Sequence, residues 1–217
     1  MPRLRAIKPH AVFYDHADRF VEIQVPLRLK VEAKNAWRSH LFPGTLLSIS
    51  SRNENRMTLN EPAKFDLVLS GGNYELQRDQ IKTKFTQPAS QRGIAKLYTL
   101  SDRNTLIYVG IAKQPMAARL GYGMRANGKS GYWGYKWKDL ERTVQLTVWT
   151  ATVEGTPASL RELETVEAEV AFLCRQQSGQ WPVHQHEIHF YPSSEWHRRA
   201  AETIYANAVG DTDIALV

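Results

Sequence analysis

The sequence has a single cysteine and no long apolar run. Cys174 has no partner for an internal disulfide, and one thiol excludes a zinc site built from four thiolates. No stretch approaches the roughly 18 consecutive apolar residues that a transmembrane helix needs, which excludes such a helix. Arg3, Arg5 and Lys8 interrupt the region where a secretory signal would have its apolar core. We therefore expect a cytoplasmic protein without a membrane partner.

Basic charge is concentrated in the middle of the chain. The formal net charge is +6 over 217 residues. Residues 94–147 contain nine basic and three acidic side chains, whereas residues 148–217 contain four basic and ten acidic ones. Because a dense positive segment attracts polyanions, we expect an anionic partner to meet residues 94–147.

Residues 1–90 predict a β-rich N-terminal region. Residues 21–32 alternate strictly between apolar and polar side chains, which is the pattern of a strand with one buried face. Shorter candidate strands follow at residues 45–49, 65–69 and 81–85, separated by turn-forming stretches. Nothing in this region suggests catalysis, so we expect any reaction to depend on residues 91–217.

Residues 91–217 predict an α+β domain, with a small antiparallel sheet flanked by helices. A long helix should begin near Ser159, because Ser159 and Glu162 have capping-box spacing, and it should end near Gly179. The other predicted elements are strands at 94–100, 106–111, 143–153 and 187–191, and helices at 114–126 and 194–208.

Two tyrosines lie in the first predicted hairpin of this domain. Tyr98 and Tyr108 are symmetric about Arg103, so a symmetric loop would place them directly opposite each other on one face of the sheet. Two facing phenols beside a basic helix could order a water molecule or contact a phosphate. A cross-strand aromatic pair that packs on a core is the commoner meaning of this pattern.

Glu167 is the acidic residue that helical geometry turns inward. With Leu163 at the centre of the apolar stripe of the long helix, Glu167 lies about 40° away at 100° per residue. A carboxylate on a packed face is costly unless it is paired or binds a cation. Two interpretations carry equal weight: a buried ion pair with an arginine, or a ligand that recruits Mg²⁺ together with water and phosphate.

An ordered set of short motifs resembles the GIY-YIG nuclease family over residues 94–191. The set consists of Tyr98 in Leu97-Tyr98-Thr99, Tyr108 in Tyr108-Val109-Gly110, Arg119 in Ala118-Arg119-Leu120, and Glu167 on a later helix. The order hairpin, helix, strand, helix also fits that family. The resemblance implies a GIY-YIG-like nuclease core at residues 91–217 and a metal-dependent endonuclease that hydrolyses phosphodiester bonds of DNA.

The resemblance also implies a role for each matching residue. Tyr98 and Tyr108 would position or deprotonate the attacking water, and Arg119 would stabilise the charge that grows on the phosphoryl group. Glu167 would hold Mg²⁺ or Mn²⁺ near the leaving oxygen. The family's histidine and late asparagine are absent from the matching positions. In place of the histidine we expect Tyr132 or Tyr135, with Lys136 as a possible helper. In place of the asparagine we expect Gln185 or His186.

The expected partner is double-stranded DNA. Its phosphates would contact residues Lys113, Arg125, Lys129, Lys138, Gln185 and His186. A restriction or defence role is expected by analogy with the family, with residues 1–90 helping to recognise DNA. One active site cuts one strand, so a double-strand cut requires a homodimer or two binding events. Trp133 and Trp137 have two interpretations, stacking on exposed bases or packing in the core.

Two other functions remain open at the sequence level. Loss of the family's histidine and asparagine suits a non-catalytic nucleic-acid-binding protein that retains a degenerate nuclease fold. A zinc-dependent hydrolase would instead use His184, His186 and His189, although His189 would face away from the other two on a strand.

Overall fold

A computed structural model describes residues 13–14, 20–21, 57–129, 131–185 and 188–210. The chain divides into two compact units, Met1–Arg52 and Asn53–Val217. In the first unit, β1 (Phe13–Tyr14) pairs with β2 (Phe20–Val21) in antiparallel fashion. The strand predicted at 45–49 lies outside the described residues, as does the one at 21–32 apart from Val21.

The second unit is built on an antiparallel sheet of six strands. Their order across the sheet is β6-β5-β4-β9-β7-β8, and a smaller sheet has the order β11-β10-β3. The α+β class predicted from the sequence is confirmed. The strands are β3 (Met57–Leu59), β4 (Ala63–Ser70), β5 (Asn73–Arg78), β6 (Ile81–Lys82), β7 (Lys96–Asp102), β8 (Thr105–Ala112), β9 (Thr143–Trp149), β10 (Ala151–Val153) and β11 (Thr156–Pro157).

Strand β4 joins residues on both sides of position 90 into one sheet. It alternates between buried Phe65, Leu67 and Leu69 and partly exposed residues, as the sequence predicts for 65–69. It pairs with β9 from Ala63 opposite Val148 onwards. Residues 63–82, which belong to the N-terminal region expected at 1–90, therefore share a sheet with strands of the domain expected at 91–217, and the boundary near residue 90 does not divide that sheet.

Three helices flank the six-stranded sheet. The longest has the predicted capping box: Ser159 Oγ accepts from the Glu162 N–H at 3.2 Å, and the Glu162 carboxylate accepts from the Ser159 N–H at 2.5 Å. It ends at Gly179, whose φ of 79° suits glycine at this position. None of the helices in the described ranges combines the length and apolar character needed to cross a bilayer. The helices are α1 (Met116–Arg125), α2 (Leu160–Ser178) and α3 (Glu195–Val209).

The sheet separates two hydrophobic cores. On one face, Met116 and Leu120 of α1 pack with the side chains that β7 and β8 direct to that side. On the other face, Leu163 and Val166 of α2 pack with Ile204 of α3. Because β7 is buried on both faces, all but its last residue are buried.

Three predicted strands differ from the observed ones. The strand expected at 143–153 is interrupted at Thr150, where the chain passes from β9 to the smaller sheet. The strand expected at 81–85 is limited to Ile81–Lys82. The prediction for 187–191 was wrong over residues 188–191, because that segment packs against α2 instead of pairing: the Arg161 guanidinium lies 3.1 Å from the centre of the Tyr191 ring.

Candidate active site

The β7–β8 hairpin carries both candidate tyrosines. Tyr98 pairs with Gly110, and Tyr108 pairs with Leu100, so the predicted direct opposition of the two tyrosines was wrong. The turn is centred between Arg103 and Asn104, and Ile107 has no partner and forms a bulge. Each of these moves the register by one residue, so the pairing is shifted by two residues from the predicted one. A shift by an even number keeps both side chains on one face. The ring centroids are 5.9 Å apart.

Because Gly110 has no side chain, the rings of Tyr98 and Tyr108 can pack directly over the backbone of β8. A Cβ atom at this position would lie 2.7 Å from Tyr108 Cε1 and 2.8 Å from the Tyr98 ring and hydroxyl. Carbon atoms do not approach this closely, so any larger residue would push at least one ring away. The glycine of the Tyr108-Val109-Gly110 motif is therefore a packing requirement of the tyrosine pair.

Arg119, Tyr98 and Tyr135 form a closed ring of hydrogen bonds. Arg119 Nε donates to Tyr98 Oη at 3.3 Å, and Tyr135 Oη donates to the Arg119 carbonyl at 3.3 Å. The two hydroxyl oxygens are 3.1 Å apart, so Tyr98 donates to Tyr135. The ring satisfies both buried phenols and fixes the half-buried Arg119 side chain.

The charges of this group are set by burial. Burial raises the pKa of Tyr108 and of Tyr135, so both phenols stay protonated at neutral pH. Burial acts against the charge of Arg119, but the Tyr98 and Tyr135 hydroxyls raise its pKa and it stays cationic. A protonated phenol can orient a water molecule but cannot accept its proton, which favours positioning over deprotonation for Tyr108.

Glu167 lies half-buried on α2, as the helical geometry predicts. Burial and, to a smaller extent, the charge of Glu164 raise the pKa of its carboxyl to about 8, although the positive charge of Arg119 acts to lower it. The same carboxylate acts on Tyr108. None of the ion pairs in the described part of the chain involves Glu167, so the buried pair with arginine considered from the sequence is not formed there.

The chemistry of Glu167 fits a hard divalent cation. A single half-buried carboxylate without an ion-pair partner can neutralise part of a Mg²⁺ charge, and water and substrate phosphate commonly complete such a shell. Among residues 57–129, 131–185 and 188–210, no three His, Cys, Asp or Glu side chains form a metal-binding group. The zinc hypothesis therefore has no complete cluster in those ranges; His186 lies outside them, and His189 Nδ1 lies 3.1 Å from Glu164.

The structure places Tyr132 and Tyr135 differently. Tyr135 is 3% exposed and belongs to the hydrogen-bonded ring, whereas Tyr132 is partly exposed and stacks on Tyr122 with centroids 5.2 Å apart. Burial raises the pKa of Tyr132, and the nearby charge of Arg119 opposes this rise. Tyr132 therefore lies on the solvent-exposed side of the hydrogen-bonded ring, and Tyr135 is a buried member of it.

The other basic candidates have varied surroundings. Lys136 is exposed and makes no hydrogen bond within the described ranges. Lys138 Nζ donates to the carbonyls of Ala126 at 2.8 Å and Trp133 at 3.1 Å, so its ammonium fixes a loop. Three further candidates have exposed side chains, namely Lys113, Arg125 and Lys129.

Gln185 covers the outer edge of the hairpin. Its Oε1 accepts from the Val109 N–H at 3.1 Å, and the His184 N–H donates to the Ile107 carbonyl at 3.0 Å. These bonds satisfy backbone groups of β8, which is the edge strand of the sheet. Gln185 thus holds the edge of β8, and His186 lies outside the described residues.

Sequence reasoning missed the glycine that admits Tyr135. A Cβ at Gly123 would overlap the Tyr135 ring, so Gly123 opens the surface of α1 to that side chain. A glycine inside a helix costs about 1 kcal/mol relative to alanine, which is a signal that close packing requires it. Lys96 was also missed: it is buried, and its Nζ donates to the Ile94 carbonyl at 2.7 Å.

The candidate site draws Tyr98, Tyr108, Arg119 and Glu167 from four elements of the fold. The two tyrosines lie on the face of the sheet that α1 covers, and Glu167 lies on α2, which packs on the other face. One hydrogen bond joins Arg119 to Tyr98, and electrostatic interactions join Glu167 to Arg119 and Tyr108. No family model, curated protein or solved structure matches this chain. Its function must therefore be inferred from these residues themselves.

Proposed function

We propose that the protein is a metal-dependent DNA endonuclease of the GIY-YIG kind. The observation that carries this proposal is a fixed arginine that interacts electrostatically with a carboxyl group that makes no ion pair in the described ranges. Arg119 is held by Tyr98, and the half-buried Glu167 senses the charge of Arg119 without forming an ion pair with it in the described ranges. A phosphodiester and a divalent cation are the partners that suit these two groups together.

Arg119 is the residue that would hold the scissile phosphate. In the described ranges its side chain makes one hydrogen bond, from Nε to Tyr98. Its two Nη groups can therefore donate to phosphate oxygens in the forked geometry that arginine favours. As charge grows on the phosphoryl oxygens in the transition state, this preorganised cation stabilises it.

Tyr108 and Glu167 would act on either side of that phosphate. The protonated Tyr108 hydroxyl orients the attacking water, and Tyr98 keeps Arg119 in place. Ionised Glu167 would hold Mg²⁺ or Mn²⁺, which supplies Lewis-acid stabilisation of the leaving oxygen. Tyr135 positions Tyr98 through the contact between their hydroxyls.

Double-stranded DNA is the proposed substrate. Lys113 directly follows β8, Arg125 ends α1, and Lys129 lies in the next loop, and all three are exposed. Their positive charge suits contacts to backbone phosphates. We assign residues 1–90 to DNA recognition and the protein to a restriction or defence role in the cytoplasm, with a homodimer for double-strand cuts.

One observation favours a second candidate function. Tyr135 is one of the two tyrosines expected in place of the family's histidine, but it is buried and its hydroxyl is engaged by Tyr98 and by the Arg119 carbonyl. A site without an accessible proton acceptor at this position suits a non-catalytic nucleic-acid-binding protein. Such a protein would use the same basic surface and would need no metal.

Plasmid cleavage separates the two functions. Supercoiled DNA is incubated with Mg²⁺ or Mn²⁺ and with wild-type protein, Arg119→Ala or Glu167→Ala. We expect nicking by the wild type and a loss of about 100-fold or more in each variant. Arg199→Ala, an exposed arginine of α3, is the matched control and should cleave normally. Shifted but intact DNA with both metals would replace the nuclease proposal with the binding one.

A further inference from the structure

An exposed aromatic surface lies beside the candidate site. It consists of Tyr122, Tyr132 and Trp133, and Trp133 is 71% exposed while Tyr122 is 52% exposed. Trp137, four residues further on, is fully buried and stacks on Tyr135. Core packing therefore accounts for Trp137 but not for Trp133.

The loop holds Trp133 in a fixed place although its ring is exposed. Gly128 has a φ of 84°, and a Cβ there would lie 2.7 Å from the Trp133 indole, so the ring rests against the glycine backbone. The Gly128 N–H donates to the Tyr132 carbonyl at 3.1 Å, and Lys138 Nζ donates to the Trp133 carbonyl at 3.1 Å. A preordered ring loses little conformational freedom when a ligand stacks on it.

The aromatic surface begins next to Arg119, the arginine proposed to hold the phosphate. Tyr132 stacks almost parallel on Tyr122, with an interplanar angle of 7°, and it lies within the electrostatic reach of Arg119. Trp133 is its neighbour in the chain. A nucleotide whose phosphate contacts Arg119 would therefore have its base close to the aromatic surface.

The chemistry of the surface points to an unpaired base. Every nucleobase presents a π-face, and stacking on an aromatic side chain depends little on sequence. In an uninterrupted duplex these faces are covered by neighbouring base pairs, so only a flipped or single-stranded base can present one. The exposed Arg125 and Lys129 lie between Tyr122 and Tyr132 in the chain and suit the attached phosphates.

We propose that Tyr122, Tyr132 and Trp133 form a subsite for an unpaired nucleobase beside the scissile phosphate. The preferred substrate is then duplex DNA that contains an unstacked base at the cutting position, such as a bulge or a single-stranded flap. This inference rests on the proposed nuclease function, and it specifies the class of DNA on which the same site acts.

Binding measured without cleavage tests the subsite. Fluorescence anisotropy compares a perfect duplex with the same duplex carrying one unpaired adenine, without metal and in a Glu167→Ala background. Trp133→Ala should weaken binding to the bulged duplex by about 5-fold to 150-fold and change binding to the perfect duplex by less than about 2-fold. Trp133→Phe keeps an aromatic face and should retain most of the affinity.

A matched tryptophan controls for nonspecific effects. Trp181, 37% exposed and packed near Phe190, lies outside the aromatic surface, and Trp181→Ala should bind both duplexes like its parent. An equal loss on both duplexes in Trp133→Ala, or no loss on either, would overturn the subsite. Because no cleavage is needed, this result is independent of the plasmid assay. Cleavage by the wild type with unchanged bulge binding in Trp133→Ala would remove the subsite alone.

Discussion

Replacing Glu167 with glutamine should stabilise the protein at alkaline pH and have little effect in acid. The amide has nearly the shape of the protonated carboxyl but never ionises. Burial raises the pKa of Glu167 to about 8 from an ordinary value of 4.5. The folded protein therefore favours the neutral form, and its stability declines as the pH rises through the interval between these two values.

The magnitude follows from the two pKa values. Well below pH 4.5 the carboxyl is protonated in both the folded and unfolded states, and its contribution to stability is fully present. That contribution is lost as the pH rises, up to a total of about 5 kcal/mol above pH 8. About 3 kcal/mol of this loss falls between roughly pH 6 and pH 9. The stability of Glu167→Gln relative to wild type should rise by that amount across this interval.

Urea denaturation at the two pH values measures the effect. Groups that titrate in both proteins cancel in the difference between wild type and variant. Glu202→Gln, an exposed glutamate on α3, is the matched control and should change stability by no more than about 0.5 kcal/mol at either pH. A Glu167→Gln difference that stays constant between the two pH values would refute the burial of this carboxyl.

Magnesium extends the same experiment. A cation that binds the folded protein only through ionised Glu167 stabilises the wild type by about 2.7 kcal/mol at 100 times its Kd. Glu167→Gln should gain nothing from the same concentration at about pH 8. Equal stabilisation of both proteins would show that the cation binds elsewhere.

Two substitutions test the tyrosine arrangement. Gly110→Ala should lower the free energy of unfolding by about 1–3 kcal/mol in urea denaturation, because the added Cβ clashes with the rings of Tyr98 and Tyr108. Gly121→Ala on α1 is the control and should cost far less, because its added Cβ meets only the end of a flexible arginine. Equal losses in the two variants would contradict the proposed clash. Tyr98→Phe removes the hydrogen-bond acceptor for Arg119 Nε. It should reduce plasmid cleavage by at least about 10-fold and lower the free energy of unfolding by about 1–3 kcal/mol. Unchanged cleavage would show that Tyr98 is not part of the active site.

The helices were predictable because their signals are local. Ser159, Glu162 and Gly179 mark both ends of α2 within a turn of each boundary, and the observed caps use these residues. The inward position of Glu167 follows from the helical repeat alone. The charge of Arg119 lowers the pKa of Glu167, and this interaction depends on tertiary structure, so no sequence pattern could reveal it.

The hairpin register and the strand order were not predictable in this way. The bulge at Ile107 moves Gly110 opposite Tyr98, and a symmetric reading of the loop could not detect it. The pairing of β4 with β9 joins residues about 80 positions apart, which explains why the sheet extends across residue 90. Local sequence patterns likewise could not show which of Tyr132 and Tyr135 is buried, because Tyr135 is buried through its contact with Gly123 on another element.

Locating a bound Mn²⁺ is the most direct test of the candidate active site. Crystals of the protein with Mn²⁺ and an uncleaved oligonucleotide would reveal the ion by its anomalous scattering. We predict a peak within about 2.5 Å of a Glu167 carboxylate oxygen, with the bound phosphate contacting Arg119. A Mn²⁺ peak or a scissile phosphate away from both residues would contradict the proposed nuclease site.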